Sequence, residues 1–118
     1  MTAPTLNTLT TYPALIERII DGDTVVARID LGLGVEILQH VQLAGVNAPE
    51  RHTDAGKQAL AYVQERLLHR PVTVAINRQR PRDTFGRLLG VITVDELNFN
   101  QALLDAGQAV PYPAPKAA

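Results

Sequence analysis

Apolar and polar residues alternate through two long stretches of this chain. From Thr24 to Leu31, Val25, Ala27, Ile29 and Leu31 fall on one face and Val26, Arg28 and Asp30 on the other. From Val35 to Val46, Val35, Ile37, Val41 and Leu43 stand opposite Glu36, His40 and Gln42. A period of two is the signature of a half-buried strand. Asp21-Gly22 reads as a turn before the first of these strands, and Gly32-Leu33-Gly34 as a turn between them. An apolar run over Ala14–Ile20 predicts an earlier strand, and Val72–Ile76 and Leu88–Val94 predict two later ones. The pattern predicts that Val25, Ala27, Ile29, Val41, Leu43, Val72, Val74 and Leu89 point inward.

Between the third and fourth of these strands the period changes. Ala59, Leu60, Val63, Leu67 and Leu68 recur at helical spacing, Thr53 or Asp54 can cap the start, and Pro71 prevents continuation past His69. Asn100 is expected to cap a second, short helix over Gln101–Ala106, with Gly107 placed to end it. Three strands, a helix, two strands and a helix predict a mainly β fold with two helices (α+β), a five-stranded Greek-key barrel of the OB type. Residues 1–12 show no periodicity and residues 111–118 hold three prolines, so both read as tails around a domain at 13–110.

Composition narrows the picture. The 118 residues suit one domain, and 46% hydrophobic with 19% charged residues is ordinary for a globular protein. With no cysteine, neither a disulfide framework nor a thiolate metal site is available. No segment approaches the roughly 18 consecutive apolar residues of a membrane span, and the start has no signal-peptide pattern. The expectation is a protein of the cytoplasm or of a virus particle, with no membrane association. The formal charge of −1 conceals a basic stretch: six arginines lie between Arg66 and Arg87 against one acid, Asp83. Such a stretch is either a solvated loop or a face that attracts phosphate.

Three separated motifs carry more. They are Ile20-Asp21-Gly22-Asp23-Thr24-Val25, then Val41-Gln42-Leu43-Ala44-Gly45-Val46-Asn47-Ala48-Pro49-Glu50, then Asp83-Thr84-Phe85-Gly86-Arg87 followed by Asn100–Ala109. In this order, on these strands and helices, they resemble the staphylococcal nuclease (thermonuclease) family over about four-fifths of the chain. The resemblance implies calcium-dependent hydrolysis of phosphodiesters in DNA or RNA. It places a metal carboxylate at Asp23 with Asp21 in support; the alternative is that these residues merely shape the turn. It places the water-orienting carboxylate at Glu50 and a phosphate-binding guanidinium at Arg87. Calcium prefers hard oxygen ligands, and arginine's planar fork matches two phosphate oxygens.

Two positions depart from the family pattern. Asn47 stands where a second metal aspartate is expected, keeping an oxygen donor but losing its charge. Gln42 stands where a transition-state arginine is expected, a group worth about 10³ to 10⁵ in rate in related phosphoryl chemistry. Arg78, Arg80 and Arg82 could guide a nucleic-acid backbone, and Tyr112, with prolines on both sides, could either stack on a base or anchor the tail. His40, His52 and His69 do not form a metal-ligand spacing. Three readings follow: a weakened calcium nuclease, a nucleic-acid-binding module without catalysis, and a fold reused as a structural part of a phage or other assembly, with the two tails gripping protein partners.

Overall fold

A computed structural model describes residues 9–113, so residues 1–8 and 114–118 of the two expected tails lie outside the described residues. The order is β1 (Leu9–Asp21), β2 (Thr24–Gly32), β3 (Val35–Leu43), β4 (Val46–Asn47), α1 (Asp54–Leu67), β5 (Pro71–Asn77), β6 (Leu88–Val94), β7 (Leu97–Asn98), α2 (Phe99–Asp105) and β8 (Val110–Pro111). Antiparallel pairing runs β3-β2-β1-β5-β6, and a parallel pairing of β3 with β6 closes the ring. The result is the expected five-stranded barrel. The short β7 extends the sheet, while β4 and β8 form a separate two-stranded ladder. Register shifts in β1 after Ile16 and Ile19 give this long strand the irregularities that let a sheet curl.

Alternation fills the barrel. Ile16, Val25, Ala27, Ile29, Val41, Leu43, Val74 and Ile92 are buried, with Val63 and Leu67 of α1 and Phe99 and Leu103 of α2 joining the same core. Gly90 makes the parallel closure possible. A Cβ there would stand 2.6 Å from Val74 Cγ1 and 3.0 Å from Val41 Cγ1, so only glycine lets β6 cross between β3 and β5. Ile29→Ala and Leu43→Ala should each cost about 2–5 kcal/mol in denaturant unfolding. Unchanged midpoints in both would mean that these side chains do not fill the barrel.

Several expectations need correction. The first strand starts at Leu9, and Leu9 to Leu15 pair with Asn77 to Pro71 of β5. Backbone pairing with a neighbour recruits this threonine-rich segment, and side-chain alternation does not report that. Leu89 does not point inward: β6 buries Leu88, Gly90, Ile92 and Val94, leaving Leu89 half-buried on the other face. The register of β6 against β3 sets that parity, and a slip of one residue inverts it. Leu31 and Val35 are exposed where the β2–β3 hairpin runs past the core. The second helix is capped by Asn98, whose side chain accepts from the Gln101 amide, and Asn100 is buried inside it. The first helix begins as expected, with the Thr53 hydroxyl accepting from the Gly56 amide at 2.9 Å. Among the described residues no helix is long and apolar enough to cross a membrane.

Candidate functional site

One end of the barrel holds a cleft of about 360 Å³. Its walls are the β1–β2 turn, the end of β3, β4 with the loop after it, the loop at 83–87, and Tyr112. Seven side chains singled out in the sequence line it together: Asp21, Asp23, Gln42, Asn47, Glu50, Arg87 and Tyr112. Arg78, Arg80 and Arg82 do not. Arg82 instead donates to Gln39 Oε1 at 3.1 Å and to the Gly86 carbonyl at 2.7 Å, bracing the loop that carries Arg87. Arg78 and Arg80 are exposed outside the cleft.

Asp23 is buried at 9% exposure and holds the cleft together. Its Oδ1 accepts from the Thr24 hydroxyl at 3.1 Å and its Oδ2 from the Ala48 amide at 3.0 Å, tying the start of β2 to the loop after β4. Each carboxylate oxygen has a further lone pair available. Asp21 is half-buried beside it. Burial raises its carboxyl above the ordinary value, the charge of Asp23 raises it further, Arg51 and Arg87 pull it down, and Glu50 adds a last repulsion. Asn47 is exposed in β4, and the pairing of β4 with β8 fixes its backbone opposite Val110.

Glu50 is exposed, its carboxylate 3.4 Å from His52 Nε2, and its position is set through its backbone. The Glu50 carbonyl accepts from the Thr53 amide at 3.0 Å and the Thr53 hydroxyl at 2.7 Å. Gly56 packs directly against this carbonyl: a Cβ there would stand 1.7 Å from the Glu50 oxygen. The cap of α1 therefore doubles as the mount for Glu50.

Arg87 is part-buried and held on two sides. Its Nε donates to Asp83 Oδ2 at 2.7 Å and one terminal nitrogen to the Thr24 hydroxyl at 3.3 Å. The other Asp83 oxygen accepts from the amides of Phe85 and Arg87, both at 2.9 Å. Burial alone would raise the Asp83 carboxyl, but the hydrogen bonds from Arg87 and Phe85 outweigh it and hold the group below the ordinary carboxylate value. Gln42 faces Thr24 across the β2–β3 ladder, and its Oε1 lies 3.1 Å from the Thr24 hydroxyl. Thr24 thus connects Asp23, Gln42 and Arg87 through one oxygen.

Thr24, Asp83 and the exposed ring of Phe85 were not given roles in the sequence reading, yet each belongs to this constellation. All three lie inside the quoted motifs, so the signal was their adjacency to charged residues that need orienting.

The donors facing the cleft, Asp21, Asp23 and the amide oxygen of Asn47, are all hard oxygens. Such a set suits calcium or magnesium rather than a metal that prefers nitrogen or sulfur. Among the described residues no three His, Cys, Asp or Glu side chains gather as a metal cluster. An amide at position 47 leaves the acidic count one short there.

A family model described as staphylococcal nuclease homologue matches residues 40–117. That match begins after Asp21 and Asp23. An uncharacterized endonuclease of Escherichia coli O157:H7 is 33% identical over 98 residues, covering 82% of this chain and 59% of the relative. The thermonuclease of Staphylococcus intermedius is 32% identical over 101 residues, covering 80% of this chain and 56% of the relative. The chain thus spans little more than half the length of these curated relatives.

Proposed function

This chain belongs to the staphylococcal nuclease family, and from that premise we propose that it hydrolyses phosphodiester bonds of DNA or RNA at this cleft with calcium, at a rate reduced by Gln42 and Asn47. The observation that carries the reading is the convergence of Asp21, Asp23, Glu50 and Arg87 on one cleft from three separate parts of the chain. The barrel's hydrophobic core draws on none of these side chains, and gathering three acids beside one arginine costs electrostatic energy.

Asp23, Asp21 and the Asn47 carbonyl would hold the calcium, which when bound supplies positive charge beside a phosphate oxygen. Glu50, on its exposed mount, orients a water and accepts its proton as that water attacks phosphorus. Arg87 keeps its Nε on Asp83 and one terminal nitrogen on Thr24, so its remaining N–H groups are turned to phosphate in a fixed orientation. Gln42 offers a neutral amide where charge would stabilise the transition state. Phe85 and Tyr112, both exposed at the cleft, offer faces on which a base can stack.

The purified chain should degrade single-stranded DNA slowly in calcium and not in chelator, and Glu50→Ala should abolish the calcium-dependent part. Calorimetry should show weak calcium binding that disappears in Asp23→Ala and strengthens in Asn47→Asp. Tight binding retained in Asp23→Ala would move the metal elsewhere. A second reading, binding of nucleic acid without cleavage, is favoured by the neutral Gln42. Calcium-dependent binding with no degradation would select it.

A further inference from the structure

Gln42 and Arg87 reach the cleft from different strands, yet one atom aligns both. Arg87 donates from a terminal nitrogen to the Thr24 hydroxyl at 3.3 Å. That hydroxyl in turn lies 3.1 Å from Gln42 Oε1 and 3.1 Å from Asp23 Oδ1. A hydroxyl has one proton to give, and two acceptors at equal distance are the geometry of a three-centre bond. The guanidinium polarises the same oxygen and strengthens what its proton gives. Thr24 is itself fixed: it is buried at 2% exposure at the start of β2, directly across from Gln42.

The consequence falls on the far end of the Gln42 amide. With Oε1 turned to Thr24, the Nε2 amino group points away from it. Among the described residues no hydrogen bond engages this amino group. No buried side-chain nitrogen or oxygen among them lacks a partner, so an unpartnered Nε2 is open to solvent. Gln42 lines the cleft, and the cleft is that opening. Two N–H donors on a neutral amide, beside the free N–H groups of Arg87, suit the oxygens of a phosphate.

We infer that Thr24 is a positioning residue for phosphate binding. Its hydroxyl sets the Gln42 amide with the amino group facing the cleft and steadies Arg87 beside it. A neutral donor and a cation then meet one phosphate of a single strand. The inference rests on the nuclease reading and adds a residue to it. It also gives Gln42 a working part: the amide holds substrate by hydrogen bonding where it cannot do so by charge.

Binding of a short phosphorothioate oligothymidylate, a strand that resists cleavage, tests this by fluorescence anisotropy in calcium over a range of salt. Gln42→Ala should weaken binding by roughly tenfold or more, as for one lost hydrogen bond to a charged group. Thr24→Val, which keeps the shape and removes the hydroxyl, should weaken it by a similar factor, and Thr24→Ser should recover most of that loss. Both residues are neutral, so neither change should alter the slope of log affinity against log salt. Arg87→Ala should reduce that slope by about 0.7, the value for one phosphate contact on a single strand. In a Gln42→Ala background, Thr24→Val should cost no more than about threefold, because the amide it orients is already gone. An effect passing through Asp23 instead would persist there in full. The side-chain NH2 resonances of Gln42 should also shift when the strand is added to the unaltered chain. If Thr24→Val costs as much with Gln42→Ala as without it, or if Gln42→Ala binds as tightly as the unaltered chain, the role of Thr24 is overturned and the nuclease reading stands. Should Thr24→Val not fold, the affinity of Gln42→Ala and the Gln42 resonances decide by themselves. If the unaltered chain does not bind the strand, both fall.

Discussion

The double variant Gln42→Arg, Asn47→Asp is expected to cleave single-stranded DNA in calcium at least about a hundredfold faster than the unaltered chain, given the rate attributed to one positioned arginine in phosphoryl transfer. The barrel already supplies the frame for this gain. Position 42 is half-buried on β3, directly across from Thr24, and lines the cleft beside Asp21 and Asp23. A guanidinium there enters an acidic environment, so its desolvation is offset by two carboxylates. Position 47 is held by the β4–β8 ladder, so the new carboxylate replaces an amide without moving the backbone. The two changes act on one phosphate and one metal, and their effects should couple rather than add. Adding Glu50→Ala should remove most of the gain. Initial rates, with thermal unfolding measured on each variant, decide the matter. A folded double variant without calcium-dependent cleavage would falsify the nuclease reading of the cleft.

The barrel was legible because its strands are amphipathic. Val25, Ala27 and Ile29 fall on one face at every second position, and the structure buries all three together with Val26 on the other face. The order of the site motifs was legible for a related reason: charged residues beside tight turns survive reading in one dimension. What escaped was set by pairing between distant segments. Leu9–Tyr12 become strand because β5 offers them partners. Leu89 faces out because β3 and β6 meet in parallel at a particular register. The loop arginines were grouped by proximity in sequence, yet Arg82 turns to Gln39, forty-three positions away. Thr24 reads in sequence only as the first residue of a strand, whereas its neighbour Asp23, Gln42 of β3 and Arg87 just before β6 all meet at its hydroxyl. Alternation reports which face a residue takes; it does not report which neighbour it meets.

Replacing Asn100 should be the most damaging single change outside the hydrophobic core, lowering stability by about 2–6 kcal/mol through two orphaned backbone groups. Asn100 is buried at 5% exposure in the first turn of α2. Its Oδ1 accepts from the Ile92 amide at 3.0 Å, and its Nδ2 donates to the carbonyls of Ala44 at 2.9 Å and Gly90 at 3.0 Å. One side chain therefore joins α2 to β6 and to the bend between β3 and β4. Asn100→Ala leaves the buried Ile92 N–H and the part-buried Ala44 carbonyl without this partner. The Gly90 carbonyl still accepts from the Ala44 amide at 2.9 Å. Against a typical domain stability of about 5–15 kcal/mol, the loss should lower the melting temperature by roughly 10–20 °C for a domain of this size. Asn100→Asp separates shape from hydrogen bonding. It keeps an acceptor for Ile92 but, when ionised, offers no donor to either carbonyl and buries a charge. Burial raises such a carboxyl above its ordinary value, so as pH falls the acid regains one proton and one donor already above the ordinary carboxylate range, and Asn100→Asp should recover part of its deficit relative to Asn100→Ala. An Asn100→Ala protein melting within a degree or two of the unaltered chain would show that this clamp is not what holds the bend between β3 and β4 against the barrel.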